Sequence, residues 1–409
     1  MAEYKILITT SGLGSRLGNL TDYTNKSLIR VGDKPAISYI IESYPKNSNF
    51  VITLGHFGNH VQQFLQLAYP DYNFEFVQIN RYKGEGSSLG YSIHQCKDKL
   101  QCPFIFHASD TITRNFNFIK PDINYVVGAY KKDASQYRTL NLYGGKLIYI
   151  NEKGELHYDY SYVGIAGIKD YKLFFDNLEK LLQEDYKDLS DVHAINSMVP
   201  EIDFFYKHTE AWFDIGNVSE LTRAREEFKN NIDILDKKDE SIFFFDDFVI
   251  KFFFNSEINK NRVIRAKYLR DLVPHIIDST ENFYKYKKAE GNLFSKSVNR
   301  SKFIKFLDWS HQCLWTFNHK FSSDFKDRCY DFYINKTKKR IEQFLKSNKD
   351  IPEYINGELI PSVYDLLENI DIDWLCHGTP SQFHGDFILD NVIETKDGFI
   401  LIDWRQDFA

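Results

Sequence analysis

The order of apolar and polar positions gives the chain two parts of different character. In the first, short β-rich apolar runs alternate with helical ones: "YKILITT", "AISYIIESY", "FVITLG", "HVQQFLQLAY", "FEFVQIN", "SLGYSIHQC" and "PFIFHASD" follow one another from Tyr4 to Asp110. That alternation predicts βαβ units around a mostly parallel sheet. Strands "NYVVGAY", "KLIYINEKG" and "YVGIAGI" come next, then helices at "LFFDNLEKLLQ" and "VSELTRAREEFKN". The polar stretch "NNIDILDKKDES", Asn230 to Ser241, interrupts the pattern and predicts a linker. Beyond it "SIFFFDDFVIKFFF" reads as strand, turn and strand, and "NRVIRAKYLRDL" as a helix. Two aromatic-rich helical stretches between Asn299 and Lys346 then lead to "FHGDFILDNVI" and "FILIDW". The expected organisation is a domain at 1–229, a linker at 230–241 and a second domain at 242–409.

Composition narrows the chemistry. A chain of 409 residues is too long for one ordinary core and suits two domains, each with a sizeable apolar interior. With 57 acidic against 51 basic residues the net charge is −6, which argues against nucleic acid or an anionic membrane surface as the main partner and makes small-molecule chemistry the expectation. No run of about twenty apolar residues occurs, and the N-terminus is too short and too lightly flanked to read as a signal peptide. Five scattered cysteines without a CxxC pair suggest neither a disulfide framework nor a zinc site. A soluble, unprocessed protein of a reducing cytoplasm is expected.

Two stretches carry candidate chemistry. In "ITTSGLGSRLGNLTDYTNKSLIRVGDKPAI" a strand runs into a glycine-rich turn and then to Arg16 and Lys26; Gly12 and Gly14 allow backbone N–H groups to approach an anion closely. The P-loop pattern fails, because no Gly-Lys-Ser/Thr stands at the required offset. The dinucleotide fingerprint fails as well, since Leu17 occupies the third glycine position. A Gly-x-Gly taken alone fits an ordinary strand-to-helix turn equally well.

The longer stretch resembles the signature of the sugar-phosphate and phosphocholine nucleotidyltransferases, over roughly residues 4 to 228. The resemblance implies that the backbone of Ser11, Gly12, Leu13, Gly14 and Ser15 cradles a nucleoside triphosphate, that Arg16 holds its β- and γ-phosphates, and that Lys26 neutralises charge at the α-phosphate. Asn25 replaces the proline commonest before that lysine. "NRYKGEGSSLG" is similar to the family's base-reading turn, with Asn80 at the place of a glutamine and with Gly84, Glu85, Gly86 and Ser87 forming the turn. Asp110 in "FHASD" and Asp214 in "WFDIGN" match the two metal-binding aspartates, a set suited to Mg²⁺, which takes few protein oxygens. Either aspartate alone reads as a helix cap or turn residue. By the same resemblance Glu152 and Lys153 face the acceptor, with Gly154 in place of a proline.

In "HGDFILDN", Asp386 precedes Asn391 by five residues and Asp403 follows in "LIDW". That spacing suits a kinase-type base, a metal-holding asparagine and a metal-holding aspartate. The stretch resembles the choline kinase and aminoglycoside phosphotransferase superfamily, which implies ATP and Mg²⁺ as ligands and Lys251 in "DDFVIKFFF" as the phosphate-pairing lysine. The preceding loop lacks the glycines of that family, Arg265 stands where the lysine's partner glutamate is expected with Glu257 a poor substitute, and the hinge falls at Lys285 to Phe294 by position. Phosphotransferases of this type continue past this strand, so the chain ending six residues after Asp403 predicts an incomplete C-lobe. His384 reads as ordering its loop, while His193 and His157 read as packing or surface residues. Trp309, Trp315 and Trp374 suit an aromatic box for a quaternary ammonium or, at helical spacing, a core.

The resulting expectation is α/β: a Rossmann-like nucleotidyltransferase domain followed by a protein-kinase-like α+β phosphotransferase domain. The corresponding function is bifunctional. ATP phosphorylates a small alcohol (choline, a polyol or a sugar), and an NTP, with CTP favoured by the resemblance, turns the phosphate ester into an NDP-linked donor for surface polysaccharide or headgroup synthesis. The rivals are a nucleotidyltransferase with an inactive kinase-like ligand-binding domain, and a nucleotide-binding regulator without activity.

Overall fold

The computed structural model describes residues 4–114, 116, 119–184, 186, 188–229, 237–316, 324–348 and 352–406. Its contacts divide the chain into two compact units, Met1–Asn259 with Ile277–Lys288, and Lys260–Ile276 with Ala289–Ala409.

The strands of the first unit begin with β1 (Lys5–Thr9), β2 (Asn49–Leu54), β3 (Asn73–Gln78), β4 (Phe104–Ala108), β5 (Thr111–Arg114) and β6 (Tyr125–Ala129). They continue with β7 (Thr139–Tyr143), β8 (Lys146–Asn151), β9 (Tyr160–Ile168), β10 (Phe205–His208) and β11 (Ala211–Asp214). Nine of them form one sheet in the order β3-β2-β1-β4-β9-β6-β10-β8-β7, while β5 and β11 pair as a separate antiparallel ribbon. Helices α1 (Ala36–Glu42), α2 (Gly58–Ala68) and α3 (Leu89–His94) cross over between β1, β2, β3 and β4, so these four strands are parallel. In the rest of the sheet only β6 and β10 pair in parallel. Strand β9 runs antiparallel to β4 and β6, and β7 joins β8 through Gly144 and Gly145, whose φ values of 60° and 77° suit a two-residue hairpin turn. The sheet is therefore mixed where a mostly parallel one was expected, because no crossover helix separates β6 to β9.

The buried strands divide their residues between two covers, as a period of two requires. Ile6, Ile8, Phe50 and Ile52 pack with Ile37, Ile40 and Phe64 on one face. Leu7, Val51, Phe104 and Phe106 pack on the other with Ile93 and with Phe174, Leu178 and Ile195 of α4 (Tyr171–Gln183) and α5 (Asp191–Met198).

Helix α6 (Val218–Glu227) closes the part expected as the first domain. Of the expected linker, residues 230–236 lie outside the described residues. The compact units do not part there. Strand β12 (Glu240–Phe244) pairs with β13 (Phe248–Phe253), and β14 (Ile276–Ser279) and β15 (Phe283–Lys287) complete a four-stranded sheet in the order β12-β13-β15-β14. Phe243, Phe245, Ile250, Phe252 and Phe283 of this sheet share a core with Val61, Phe64 and Leu65 of α2. Gln63 Oε1 accepts from the Asn282 N–H at 2.9 Å. The strands expected to open the second domain thus belong to the first unit, because their apolar face is covered by α2.

Helix α7 (Ser256–Leu269) leads into the second unit, which combines helices with a three-stranded antiparallel sheet of β16 (Asn292–Leu293), β17 (Val392–Thr395) and β18 (Gly398–Leu401). Helix α8 (Arg300–Trp309) places Phe306 against Phe294, Phe387 and Phe399. No helix among the described residues is long and apolar enough to cross a membrane.

Two buried histidines make stability depend on pH. His107 Nε2 donates to the Thr111 carbonyl at 3.0 Å, so its Nδ1 accepts from the Tyr44 hydroxyl at 2.7 Å, and burial lowers its pKa to about 4. His60, stacked on Phe57, is lowered to about 4 by burial and by His56. Both are neutral when folded, whereas the unfolded side chains take a proton near pH 6.5. Their contribution is complete above pH 6.5 and is lost as the pH falls from there towards 4. At pH 5 each is expected to cost about 2 kcal/mol relative to neutral pH. His107→Gln, compared with wild type by urea denaturation at pH 7 and pH 5, should show a smaller loss between the two; an equal loss would exclude His107 as a source.

Candidate active site

The glycine-rich loop follows β1 at the C-terminal end of the parallel strands, where open α/β sheets place their ligands. Its base is tied down by residues of low exposure. The Thr10 hydroxyl donates to the Thr53 carbonyl at 2.5 Å and the Thr10 N–H donates to Thr53 Oγ1 at 3.0 Å. Asn25, fully buried, donates from Nδ2 to the carbonyls of Thr10 (2.8 Å) and His56 (2.6 Å) and accepts at Oδ1 from the Ser27 N–H (2.9 Å) and hydroxyl (2.8 Å). In place of a proline, the chain thus has a side chain that spans the loop and caps the short 3-10 turn Lys26–Leu28. Gly14 has φ 70°, and a Cβ there would stand 3.0 Å from Lys26 Cβ, so the loop and Lys26 are packed together.

Lys26 and Arg16 carry the loop's charge to two carboxylates that come from distant strand ends. Asp110 follows β4, Asp214 ends β11, and the Ile215 N–H donates to the Asp110 carbonyl at 2.9 Å, holding the two segments side by side. Lys26 Nζ lies 3.0 Å from Asp110 Oδ2, with the two side chains 19% and 20% exposed, which leaves the pair within reach of a substrate. A Cβ built on Gly216 would stand 3.0 Å from Arg16 Nη2, 3.0 Å from Asp214 Oδ1 and 3.2 Å from Asp110 Oδ2, so one guanidinium and both carboxylates converge on one point. Burial raises the Asp110 pKa, but Lys26 and Arg16 outweigh it and hold the carboxyl below the ordinary range. Burial and the Asp110 charge push Asp214 above it, against the Gly216 N–H and Arg16. Two carboxylates aimed at one place, one of them strained by the other's charge, are a donor set that fits Mg²⁺ with its remaining positions left to phosphate and water. Among the described residues no group of three or more His, Cys, Asp or Glu is arranged to hold a metal ion.

Lys153 belongs to the same field: burial lowers its pKa first, then Arg16 and Arg138, opposed by Asp214 and Asp110. Glu152 instead pairs with Arg138 (3.2 Å) and His193 (3.0 Å), and His193 completes the capping box of α5. His157 lies in an exposed turn. The base-reading stretch forms an exposed loop from Asn80 to Gly86, with Glu85 exposed, Gly84 at φ 80° and Gly86 at φ 72°. The Ser87 hydroxyl closes it by donating to the Gly84 carbonyl at 2.6 Å. Ser11 Oγ donates to Ser92 Oγ of α3 at 3.2 Å, linking the two loops.

Sequence reading missed several neighbours of Asp214. Lys131 Nζ lies 2.6 Å from the Tyr137 hydroxyl, 3.1 Å from Glu220 and 4.8 Å from the centre of the Trp212 ring. Burial, then Asp214 and Glu220, raise the Tyr137 pKa. "KKDASQY" reads as a solvated loop and gives no signal for Lys131 or Tyr137, and Trp212 beside "FDIGN" has no pattern of its own to mark it. Arg81, stacked on Tyr91 at 5.4 Å, likewise had no pattern to mark it.

The residues expected to form a kinase site are split between the units. Lys251, buried in β13, is in the first, and the expected hinge, Lys285 to Phe294, crosses the boundary. In the second, Asn391 Nδ2 donates to the Asp386 carbonyl at 2.9 Å and the Ile402 N–H to the Asn391 carbonyl at 2.9 Å, a tight loop around fully buried His384. Burial lowers the His384 pKa. Asp386 Oδ2 lies 2.5 Å from Arg405 Nη2, and Asp403 Oδ1 lies 2.6 Å from Arg262 Nη1. Arg405 and Asp386 are 38% and 28% exposed, but Arg262 on Asp403 is 1% exposed, a buried cation where Mg²⁺ would have to bind. Arg265 donates to the Phe383 carbonyl, and Glu257 stands exposed in the first turn of α7. Trp309 packs on Phe306 and Phe399, Trp315 on Phe387, and Trp374 is 73% exposed; among the described residues no ring contact joins any two of them.

No family model matches the chain. Over 235 residues it is 22% identical to the choline-phosphate cytidylyltransferase of Streptococcus pneumoniae (strain ATCC BAA-255 / R6), covering 55% of this chain and 99% of that protein. Among solved structures it is similar to a CTP:phosphocholine cytidylyltransferase from Streptococcus pneumoniae, with 22% identity, 56% of this chain, 100% of the other and a TM-score of 0.48. It is also similar to the inositol-1-phosphate CTP transferase of T. maritima, with 13% identity, 57% of this chain, 98% of the other and a TM-score of 0.45. The N-terminal 55% of the chain resembles the phosphocholine and sugar-phosphate nucleotidyltransferases.

Asn25 offers a direct test of the loop's anchoring. Asn25→Ala leaves two carbonyls and the Ser27 N–H and hydroxyl without the partners described, and each buried orphan costs about 1–3 kcal/mol. A loss of at least about 2 kcal/mol in urea denaturation is expected; a change below about 0.5 kcal/mol would show that water or a shifted backbone replaces it.

Proposed function

We propose that the first unit transfers a nucleotidyl group from a nucleoside triphosphate to a phosphate-ester acceptor and releases pyrophosphate. The observation that carries this reading is the convergence of Arg16, Lys26, Asp110 and Asp214 beside the glycine-rich loop. The relative's name favours CTP as donor and choline phosphate as the first acceptor to try, with polyol and sugar phosphates next. The product would be an NDP-linked donor of the kind used for surface polysaccharide or lipid headgroups.

The chemistry needs no protein nucleophile. An oxygen of the acceptor's phosphate attacks the α-phosphorus in line, the new P–O bond forms as the α–β bridging P–O bond breaks, and the bond's electrons leave on pyrophosphate. The acceptor dianion attacks without losing a proton, so no general base is required. Backbone N–H groups of Ser11 to Ser15 orient the triphosphate, Lys26 takes charge at the α-phosphate, and Arg16 takes charge on the leaving phosphates. Asp110 and Asp214 would hold Mg²⁺, which supplies further neutralisation of phosphate charge when bound. Lys153 and the group of Lys131, Tyr137 and Glu220 lie in the field of Asp214, which supports reading them as the residues that meet the acceptor.

The finer expectation of a second activity, phosphorylation of a small alcohol by ATP, is supported by the tight loop from His384 to Asn391. Against it stand the two arginine pairs on Asp386 and Asp403. Of an active phosphotransferase and an inactive ligand-binding relative, the pairing favours the second.

Pyrophosphate release, assayed over the four NTPs with phosphorylated acceptors, tests the reading. Lys26→Ala and Asp110→Ala should each lower kcat by at least about a hundredfold, since losing a group that stabilises developing charge costs a few kcal/mol. Their circular dichroism should match wild type. Turnover of either within about threefold of wild type would contradict the assignment.

A further inference from the structure

The second unit carries the spacing of a metal-dependent phosphotransferase but surrounds its acidic residues differently. Asp403 sits at φ 58°, in the left-handed region that aspartate adopts more readily than most non-glycine residues. Its carboxylate meets Arg262, 1% exposed, whose Nη1 is 2.6 Å from Asp403 Oδ1. The arginine is fixed from two more directions: its Nε donates to Gln406 Oε1 at 3.3 Å, and its carbonyl accepts from Nε1 of fully buried Trp404 at 2.9 Å. Arg265, one helical turn on, donates to the Phe383 carbonyl. Helix α7 is thereby joined to Phe383, just before the loop, and to Asp403 and Trp404 beyond it. Asp386 has its own arginine, Arg405.

We propose that Arg262 is a built-in counter-ion standing at Asp403 where a phosphotransferase carries a divalent cation, so that the second unit takes up no divalent ion at Asp386, Asn391 and Asp403. The inference rests on reading His384 to Asn391 as a phosphotransferase-like loop. A cation entering there must part Asp403, 25% exposed, from a guanidinium that is 1% exposed, and leaving that buried guanidinium without its carboxylate is among the costlier changes in a protein interior. Arg262 cannot step aside as a surface side chain does, because its guanidinium is 1% exposed and its Nε is taken by Gln406. The site is then electrostatically complete without metal. Any phosphate ester it binds must be held by the protein's own cations and N–H groups.

Mn²⁺ binding to the full chain, read from the loss of the free-ion electron paramagnetic resonance signal with and without ATP, tests this. Wild type and Asp403→Asn are expected to bind the same number of ions, while Asp110→Asn loses the ion of the first unit. A wild-type ion that disappears in Asp403→Asn would overturn the inference. Arg262→Met, if its circular dichroism and melting show a folded chain, should gain an Asp403-dependent ion at least about tenfold more tightly than wild type; a folded Arg262→Met that gains none would also overturn it. Should Arg262→Met not fold, the comparison of wild type with Asp403→Asn still decides. A chain that binds no Mn²⁺ at all would contradict the reading of the first site and would still be the result expected of the second.

Discussion

Two carboxylates brought to one point inside a protein repel one another unless a cation or a shared proton comes between them, and the first unit is arranged around that constraint. Asp110 and Asp214 reach the place above Gly216 from strands separated by about a hundred residues, and their charges oppose one another. The positive charge that offsets them comes from the loop after β1, through Arg16 and Lys26, so the loop must be held at a fixed height over the sheet. Asn25 does this from below and Gly14 permits Lys26 to pack against the loop. The electrostatic requirement therefore fixes the backbone requirement. An asparagine can replace a proline here because what matters is that the turn stays bound to Thr10 and His56, which two amide hydrogens accomplish as well as a rigid ring.

The same charges decide how the site meets a substrate. Asp110 is held ionised by Lys26, whereas Asp214 is pushed towards its neutral form by burial and by Asp110. A dication between them would relieve the repulsion and release Lys26 towards a phosphate. Lys26 and Asp110 remain one-fifth exposed, and so can exchange partners without unfolding anything.

The parallel strands and their crossover helices were legible because each is a continuous apolar run bounded by turn residues, a local signal. The candidate residues of the loop were legible for the same reason. What escaped were pairings across long separations. The ribbon of β5 and β11 joins Thr111 to Asp214 and has no local mark of its partner. The hairpin after residue 239 has a local pattern, and its strands were expected as strands. Their allegiance was not visible, because the face carrying Phe243, Phe245 and Phe252 is covered by α2, some 180 residues earlier in the chain. Polar composition at 230–241 marks a place where the chain can leave a core; it does not say which core the next strands will join.

The pairing of Arg262 with Asp403, 141 residues apart, is a further case, and its consequence for function is larger. A motif read along the sequence supplies the identity and spacing of its acids and says nothing of their counter-ions. In the first unit the counter-ions are a lysine and an arginine on a loop open to substrate, so the acids remain available to exchange partners during a reaction. In the second, the arginine on Asp403 is buried and its Nε is taken by Gln406, so exchange would leave a buried guanidinium without its carboxylate. Two sets of acidic residues with comparable motifs thus differ in the property on which metal-assisted phosphate chemistry depends, the freedom of a carboxylate to change its cation.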